Sequence, residues 1–358
     1  MSSRHDSSSA VVNGSSGQFT SSIIEQADPA RTAQGPDTLS DVLREVRLTG
    51  SLFFLVDALT PWVSAAPAAT TLLPAVLPRA QHLISYHVIR VGSCWCRMPG
   101  QADALLEEGD VLVVPHGDAY TLSSDRELEW DWPLDATLTW FRDMAQGRSP
   151  FVVTEGGNGP HRLQVVCGFL GCDTLPFNPV LAGLPRMLRV RLSKDESGDR
   201  LNKLIDFAVN EAQEKRAGSR CVLLRISELM FVELVRQHLA ALPAAHTGWL
   251  AALRDPVVGR ALALLHQQPR TDWTLDALAR HASSSRSVLS ERFSHYLREP
   301  PMQYLARWRM HLAAQMLTDA RAKISAVAFD VGYHSEASFS RAFKKLVGVS
   351  PAAWRAGR

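Results

Sequence analysis

Leu275-Asp-Ala-Leu278-Ala279-Arg-His-Ala282 and Ile324-Ser-Ala-Val327-Ala328-Phe-Asp-Val331 are one pattern written twice, at an offset of 49 residues. The next pair, Ser285-x-x-x-Leu289-x-x-x-Phe293 and Ser335-x-x-x-Phe339-x-x-x-Phe343, is offset by 50, and Pro301 is matched by Pro351. The one-residue difference falls in the turn, which is Ser283-Ser284 in the first copy and Gly332-Tyr333-His334 in the second. An internal repeat fixes an architecture before any other signal does. In each copy a short helix shows an apolar face, small residues break it, and a Ser caps the next helix by accepting a bond from a free backbone N–H. That second helix buries Leu289 and Phe293, or Phe339 and Phe343, and turns its other face outward. Helix, small turn and capped helix is the helix-turn-helix layout, whose second helix enters the DNA major groove.

Between the copies runs Pro301-Met-Gln-Tyr-Leu-Ala-Arg-Trp-Arg-Met-His-Leu-Ala-Ala-Gln-Met-Leu317. Pro301 suits a first helical turn, and nothing interrupts the helix after it. Such a strut would hold the two recognition helices at a fixed separation. At about 34 Å they would enter successive major grooves on one face of DNA.

The segment closely resembles the C-terminal DNA-binding domain of the AraC/XylS family of bacterial transcription regulators. The residues that carry the resemblance are Tyr304-Leu-x-x-Trp308-Arg-Met-x-x-Ala313, Ile324-x-x-Val-Ala328-x-x-x-Gly332-Tyr, Ser335, Phe339-Ser-Arg-Ala-Phe343-Lys-Lys and Gly348-Val-Ser-Pro351. One departure stands out. Where the first copy would show a Gly matching Gly348 it has Arg298, so its left-handed cap must be made differently or the helix end must shift. The resemblance places base-reading positions at Arg286, Ser287, Ser290 and Glu291 in the first copy and at Glu336, Ala337, Ser340 and Arg341 in the second. Arg pairs bidentately with guanine, Glu accepts from cytosine, and Ser is permissive. Arg341, Lys344 and Lys345 are alternatively phosphate contacts, which position the protein without reading sequence. For each residue taken singly, the competing reading is a solvated helix face.

Charge agrees with this division. From Arg254 onward there are 16 Lys and Arg against 8 Asp and Glu, and before it 22 against 28, so a basic third follows a mildly acidic remainder. Excess positive charge on one segment is the electrostatic footprint of phosphate binding. The five cysteines are Cys94, Cys96, Cys167, Cys172 and Cys221. That odd, sparse set favours a reducing cytosol over secretion. The apolar run from Ser51 to Leu77 contains Asp57, Pro61, Pro67 and Pro74. It is therefore rejected as a membrane span, which needs about 20 consecutive apolar residues.

Residues 1–36, rich in Ser, Gly, Gln and Asn, read as a disordered tail. A short helix around Asp41–Arg47 leads into an irregular Pro/Ala stretch. Strand signals then run from His82 to Leu192, including Ala136-Thr-Leu-Thr-Trp-Phe141, and suggest a β-barrel or sandwich. Two helices, Leu201–Arg216 and Cys221–Leu242, follow. They form a connector at 196–242 whose apolar faces serve either the barrel or a second subunit. Residues 243–253 read as a linker into a DNA-binding domain at 254–358. The fold class expected is therefore a two-domain α+β chain: a cupin-like β-barrel with a helical extension, then an all-α double helix-turn-helix.

The cupin assignment of residues 37–195 rests on Gly109-Asp-Val-Leu-Val-Val-Pro115-His-Gly117-Asp-Ala-Tyr120, which resembles the second cupin motif. Tyr120 stands where that motif has a metal-binding His. The upstream motif supplies His87 but lacks the usual paired His and Glu. His87, His116 and Cys167 are the residues that could otherwise hold a metal, but a lone His near a strand end is more often simply hydrogen-bonded, and neither a metal nor a cofactor is expected. Cys94 and Cys96, two apart on a strand, share a face. Some regulators of this layout carry a Cys-Gly at the position of Cys167-Gly168 and respond to oxidants. A thiol switch there needs an accessible thiolate of low pKa; the competing reading is a set of small buried residues. His87, Cys94, Cys96, His116, Tyr120 and Cys167 are thus the effector or redox candidates.

The function expected is a cytoplasmic, nucleoid-associated regulator that binds double-stranded DNA as a homodimer. It senses a small molecule or redox signal in the barrel and activates transcription with RNA polymerase, as the family implies. A cupin-type metalloenzyme fused to a DNA-binding module is the alternative, disfavoured because the full metal set is missing and no catalytic motif appears. A purely architectural DNA binder would not need so large a barrel.

Overall fold

The computed structural model describes residues 37–43, 48–173, 176–192, 196–214 and 216–357. The tail expected at 1–36 lies outside them, as do residues 44–47 of the expected first helix. The described part of that helix is α1 (Thr38–Leu43).

Strands begin earlier than the sequence suggests. The stretch read as irregular forms β1 (Leu48–Leu59), β2 (Val63–Ala66) and α2 (Ala69–Val76). β1 pairs with strands on both of its edges and carries buried side chains on both faces, Phe53 on one and Phe54 and Val56 on the other. A strand covered on both faces loses its polar alternation and reads as a featureless apolar run. Next come β3 (His82–Val91), β4 (Ser93–Arg97), β5 (Ala104–Glu107), β6 (Asp110–Val114) and β7 (Tyr120–Ser123).

The strand expected over residues 136–141 is instead part of a helix, α3 (Leu134–Ala145). Its buried residues, Thr137, Phe141 and Met144, follow helical spacing. Thr137 and Thr139, whose branched side chains suggested a strand, donate their hydroxyls to the carbonyls four residues back, Pro133 at 3.1 Å and Asp135 at 2.8 Å. This back-bonding lets Thr sit in a helix despite its β preference.

Then follow β8 (Val152–Gly156), β9 (Arg162–Cys172), α4 (Pro179–Gly183) and β10 (Leu188–Arg191). The strands make a six-stranded sheet ordered β10-β6-β3-β9-β1-β8 and a four-stranded sheet ordered β2-β7-β4-β5. Alternation along the larger sheet builds two cores. Phe54, Val56, Ile89, Leu112 and Phe169 face the smaller sheet, while Phe53, Tyr86, Val88, Val113 and Val166 face away from it.

The outward face is covered by α5 (Glu196–Glu214) and α6 (Ser219–Ala241), through Ile205, Ala208, Ile226, Met230, Phe231 and Leu234. The apolar stripes of the connector helices are thus intramolecular core, which leaves Phe207, Val222 and Leu229 exposed.

The C-terminal helices are α7 (Trp249–Ala252), α8 (Val258–Gln267), α9 (Leu275–His281), α10 (Arg286–Leu297), α11 (Pro301–Met316), α12 (Ile324–Asp330), α13 (Glu336–Val347) and α14 (Pro351–Ala356). The end of the expected linker is not a linker in packing terms. All four residues of α7 are buried, and they pack on α10 and α4. The apolar core beneath the large sheet continues through α4 and α7 to Leu289, Phe293, Tyr304 and Trp308 of the first helix-turn-helix unit. Phe177, between β9 and α4, makes the seam. It lies edge-on to Tyr304 at 5.4 Å and under the Arg307 guanidinium, 4.0 Å from the ring centroid.

Candidate DNA interface and effector pocket

Each recognition helix is started by the Ser that the sequence assigned to it. Ser285 accepts from the Val288 N–H and Ser335 from the Ser338 N–H, both at 3.2 Å. α10 buries Leu289 and Phe293, and α13 buries Phe339 and Phe343. The remaining face points to solvent. Arg286, Ser287, Glu291, Glu336, Ala337, Arg341, Lys344 and Lys345 are exposed, and Ser290 and Ser340 are partly so. Arg286 makes an open ion pair to Asp276 at 3.7 Å.

α11 serves both units. Its first half, with Tyr304, Leu305 and Trp308, packs into the first core, and its second half, with Met310, Ala313 and Ala314, into a separate core around Phe339 and Phe343. At 1.5 Å per residue its 16 residues span about 24 Å. Arg309 locks the two units together. Its guanidinium donates to the carbonyls of Pro269 at 2.7 Å and Thr271 at 2.9 Å, and to that of Gly332 at 3.2 Å in the second turn. Arg270–Asp330 at 3.0 Å and His334–Asp272 at 3.2 Å cross the same joint. The strut inferred from the sequence is thus reinforced by polar ties that the spacing did not reveal.

Arg298 resolves the departure noted in the first copy. It caps α10 in the left-handed region itself, at φ 59°, and the helix end does not shift: α10 and α13 are both 12 residues long. Ser283 repeats this at the turn, with φ 54° where the second copy has Gly332 at φ 85°.

In the β-domain, three of the six effector candidates come together. His87 Nε2 lies 2.6 Å from the Tyr120 hydroxyl, and its Nδ1 lies 3.1 Å from Cys167 Sγ. Burial holds the imidazole neutral, with its pKa lowered to about 3, and pushes the Cys167 thiol well up. Cys94 and Cys96 share the inward face of β4, also buried, and burial raises Cys96 to about 12. None of these three thiols is the accessible, low-pKa thiolate that a thiol switch needs. Cys172 is buried as well, and Cys221 is exposed on α6. His116 is apart from the group, exposed after β6 with its Nε2 2.9 Å from the Leu184 carbonyl. Among the described residues no group of three or more His, Cys, Asp or Glu is placed to hold a metal ion.

Gly168, beside Cys167, has a packing role. It pairs with Tyr86 across β3 and β9, and a Cβ there would lie 2.0 Å from the Tyr86 hydroxyl oxygen.

His87, Tyr120 and Cys167 line a pocket between the sheets together with a cluster of aromatic rings and aliphatic residues such as Val56, Leu122 and Val165. Phe54, Trp140, Phe141 and Phe169 close a ring of contacts, with centroids 6.0, 4.7, 5.6 and 6.3 Å apart in turn. Glu155, on β8, also lines it. Sequence reasoning did not select these residues. The available signal was local: Trp130, Trp132 and Trp140, three of the nine tryptophans, fall within eleven residues.

Comparison with known proteins agrees with both halves. A cupin family profile matches residues 37–240 and a helix-turn-helix domain profile residues 278–357. An AraC-like transcription regulator of Streptomyces antibioticus is 30% identical over 282 residues, covering 78% of this chain and 89% of that protein. The chain belongs to the AraC family of transcription regulators, with a cupin N-terminal domain. Two other relatives of this AraC-family chain are more distant than that. The regulator AlkR of Acinetobacter baylyi is 26% identical over 89% of the chain and 99% of its own length. RclR of Escherichia coli, an RCS-specific transcriptional activator, is 24% identical over 76% of the chain and 84% of its own length. No helix among the described residues is long and apolar enough to cross a membrane.

Proposed function

We propose that this AraC-family regulator is an activator, not an enzyme. It binds double-stranded DNA as a homodimer in the cytoplasm, at the nucleoid, and works with RNA polymerase under control of a small molecule held in its cupin half. The observation that carries the reading is the pair of Ser-capped helices, α10 and α13, presenting their polar faces outward from a frame that Arg309 holds rigid. Base contacts come from Arg286, Ser287, Ser290, Glu291, Glu336, Ala337, Ser340 and Arg341, and phosphate contacts from Lys344 and Lys345. The E. coli relative's description as an activator supports the direction of control. The aromatic pocket, with the Cys167 thiol buried in its wall, favours a ligand over an oxidant as the signal.

Footprinting on the promoters next to the gene, followed by transcription in vitro with purified polymerase, tests the reading. The expected result is a protected pair of adjacent grooves and added transcript. No protection at any of these promoters, or loss of transcript on binding, would overturn the regulator assignment or the activator assignment respectively.

A further inference from the structure

The pocket between the sheets contains one group that its surroundings leave unserved. Glu155 Oε2 is buried with no hydrogen-bond partner among the described residues. It shares the pocket lining with the rings of Phe54, Trp62, Trp140 and Phe141, the neutral His87–Tyr120 pair, the Cys167 thiol and Ser64. Burial pushes the carboxyl up to about 7. A buried carboxylate without a cation is costly, whereas one paired and hydrogen-bonded is tolerated. Aromatic faces around it add attraction for a positive charge and none for a negative one.

The space is shaped in two parts. The inner part beside Glu155 holds about 30 Å³, room for a water or an ammonium group. A second hollow of about 270 Å³ opens to solvent and is lined by Trp130, Trp132, Leu134 and Tyr120. A third, smaller cavity of about 10 Å³ shares Glu155 and Trp140 with the inner part and Trp130 and Trp132 with the outer hollow. The rings of Trp130 and Trp132 touch at a tilt, with centroids 5.0 Å apart, and Trp132 and Leu134 are about half exposed, at 49% and 54%. Two large apolar side chains left open at the mouth of a pocket are a ready contact for a ligand's apolar body.

We propose that the effector of this protein is an amphiphilic organic amine. Its ammonium head enters the inner pocket and pairs with Glu155, and its aryl or alkyl body lies in the outer hollow against Trp130, Trp132 and Leu134. This rests on the reading of the cupin half as a small-molecule sensor and adds the chemical class of the ligand. The head donates to Oε2, the atom left without a partner, and the rings of Trp62 and Trp140 screen the pair from water.

The test uses the full-length protein and three probes of one shape: 4-phenylbutylamine, 4-phenylbutanol and 4-phenylbutyrate. Binding is read by intrinsic tryptophan fluorescence and by calorimetry at pH 8, where Glu155 is ionised. The amine is expected to bind about tenfold or more tighter than the alcohol, and the carboxylate weakest. Glu155→Gln should erase the preference for the amine while leaving alcohol binding and promoter DNA binding unchanged. Trp132→Ala, at an exposed site that leaves the core intact, should weaken amine and alcohol alike. Equal binding of amine and alcohol, tighter binding of the carboxylate, or a preference that survives Glu155→Gln overturns the amine assignment while leaving a small-molecule sensor in place. If no probe binds at about 1 mM, the weak end of the measurable range, both the class and the pocket's role as a sensor site fall.

Discussion

Arg298 and Gly348 stand at the same position of the two helix-turn-helix copies, and both are left-handed, at φ 59° and φ 92°. Ser283 and Gly332 repeat the relationship at the turns. The two non-glycine residues with positive φ among those described therefore both lie in the first copy, at places where the second copy has Gly. A side chain in this region costs about 1–2 kcal/mol, of which glycine's extra freedom in the unfolded chain returns about 0.5–1. Arg298 is exposed, so its removal loses little contact. Arg298→Gly should stabilise the protein by about 0.5–1 kcal/mol, read as a higher urea midpoint at unchanged slope. Gly348→Ala should do the reverse. A lower midpoint for Arg298→Gly would mean that the first helix does not end on a left-handed residue in solution.

The two recognition helices should separate in how they depend on salt. Lys344 and Lys345 lie in the last turn of α13 and are exposed. If they hold phosphates, Ala at both should flatten the slope of log K against log salt by about 2 and leave sequence preference alone. Arg286→Ala should cost about 1–3 kcal/mol on the cognate site and relax preference for one base. Arg341→Ala should weaken operator binding in a gel-shift titration. Identical salt slopes for wild type and the double lysine variant would remove those lysines from the backbone contacts.

Gly168→Ala should be destabilising by about 1–3 kcal/mol, because the new methyl meets the Tyr86 ring of the neighbouring strand. Adding Tyr86→Phe should recover little of the loss, since ring carbons would still lie 2.1 and 2.4 Å from the added Cβ. A fully stable Gly168→Ala variant would assign the glycine some purpose other than room.

Acid should unfold this protein early. Burial lowers the pKa values of His87 and His266 to about 3 and that of His311 to about 4. The unfolded chain takes up these protons near pH 6.5 and the folded one does not. The associated stability is thus complete above pH 6.5 and lost as pH falls toward 3–4, at about 2 kcal/mol per histidine by pH 5. Glu155, raised to about 7, acts the other way: its folded form holds a proton that the unfolded form releases, so it gains stability between pH 7 and 4.5 and offsets part of the loss. Three such losses less the Glu155 gain leave about 3–4 kcal/mol, so the net expectation is a urea midpoint about 1 M or more lower at pH 5 than at pH 7.5. An unchanged midpoint would contradict the burial of these rings.

Much of the C-terminal half was legible in the sequence because its signals are local. A Ser that caps, a glycine that turns and a Phe four residues from the next are read within one helical turn. The β-domain hid more. β1 lost its alternation to burial on both faces, and the threonines of α3 bonded back along a helix instead of extending a strand. Of the residues lining the pocket, His87, Tyr120 and Cys167 announced themselves by type, but Glu155 did not. It meets the aromatic residues only because β8 pairs with β1 in parallel, Ala58 opposite Glu155, a register that no nearby residue encodes. His116 is the converse case: it lies within the motif, yet its Nε2 faces the Leu184 carbonyl, apart from the other candidates.

Phe177 joins two halves that are usually imagined as beads on a string. Because Tyr304 and Arg307 close over it, heating should not release one half ahead of the other, and a calorimetric scan should show one endotherm where two loosely tethered domains would give two. A fragment cut to begin at Trp249 would carry an oily scar where that ring and the helices behind it had been. Genetic screens inherit the same difficulty. A substitution deep in the barrel, far from any nucleotide, can silence a promoter simply by loosening this seam.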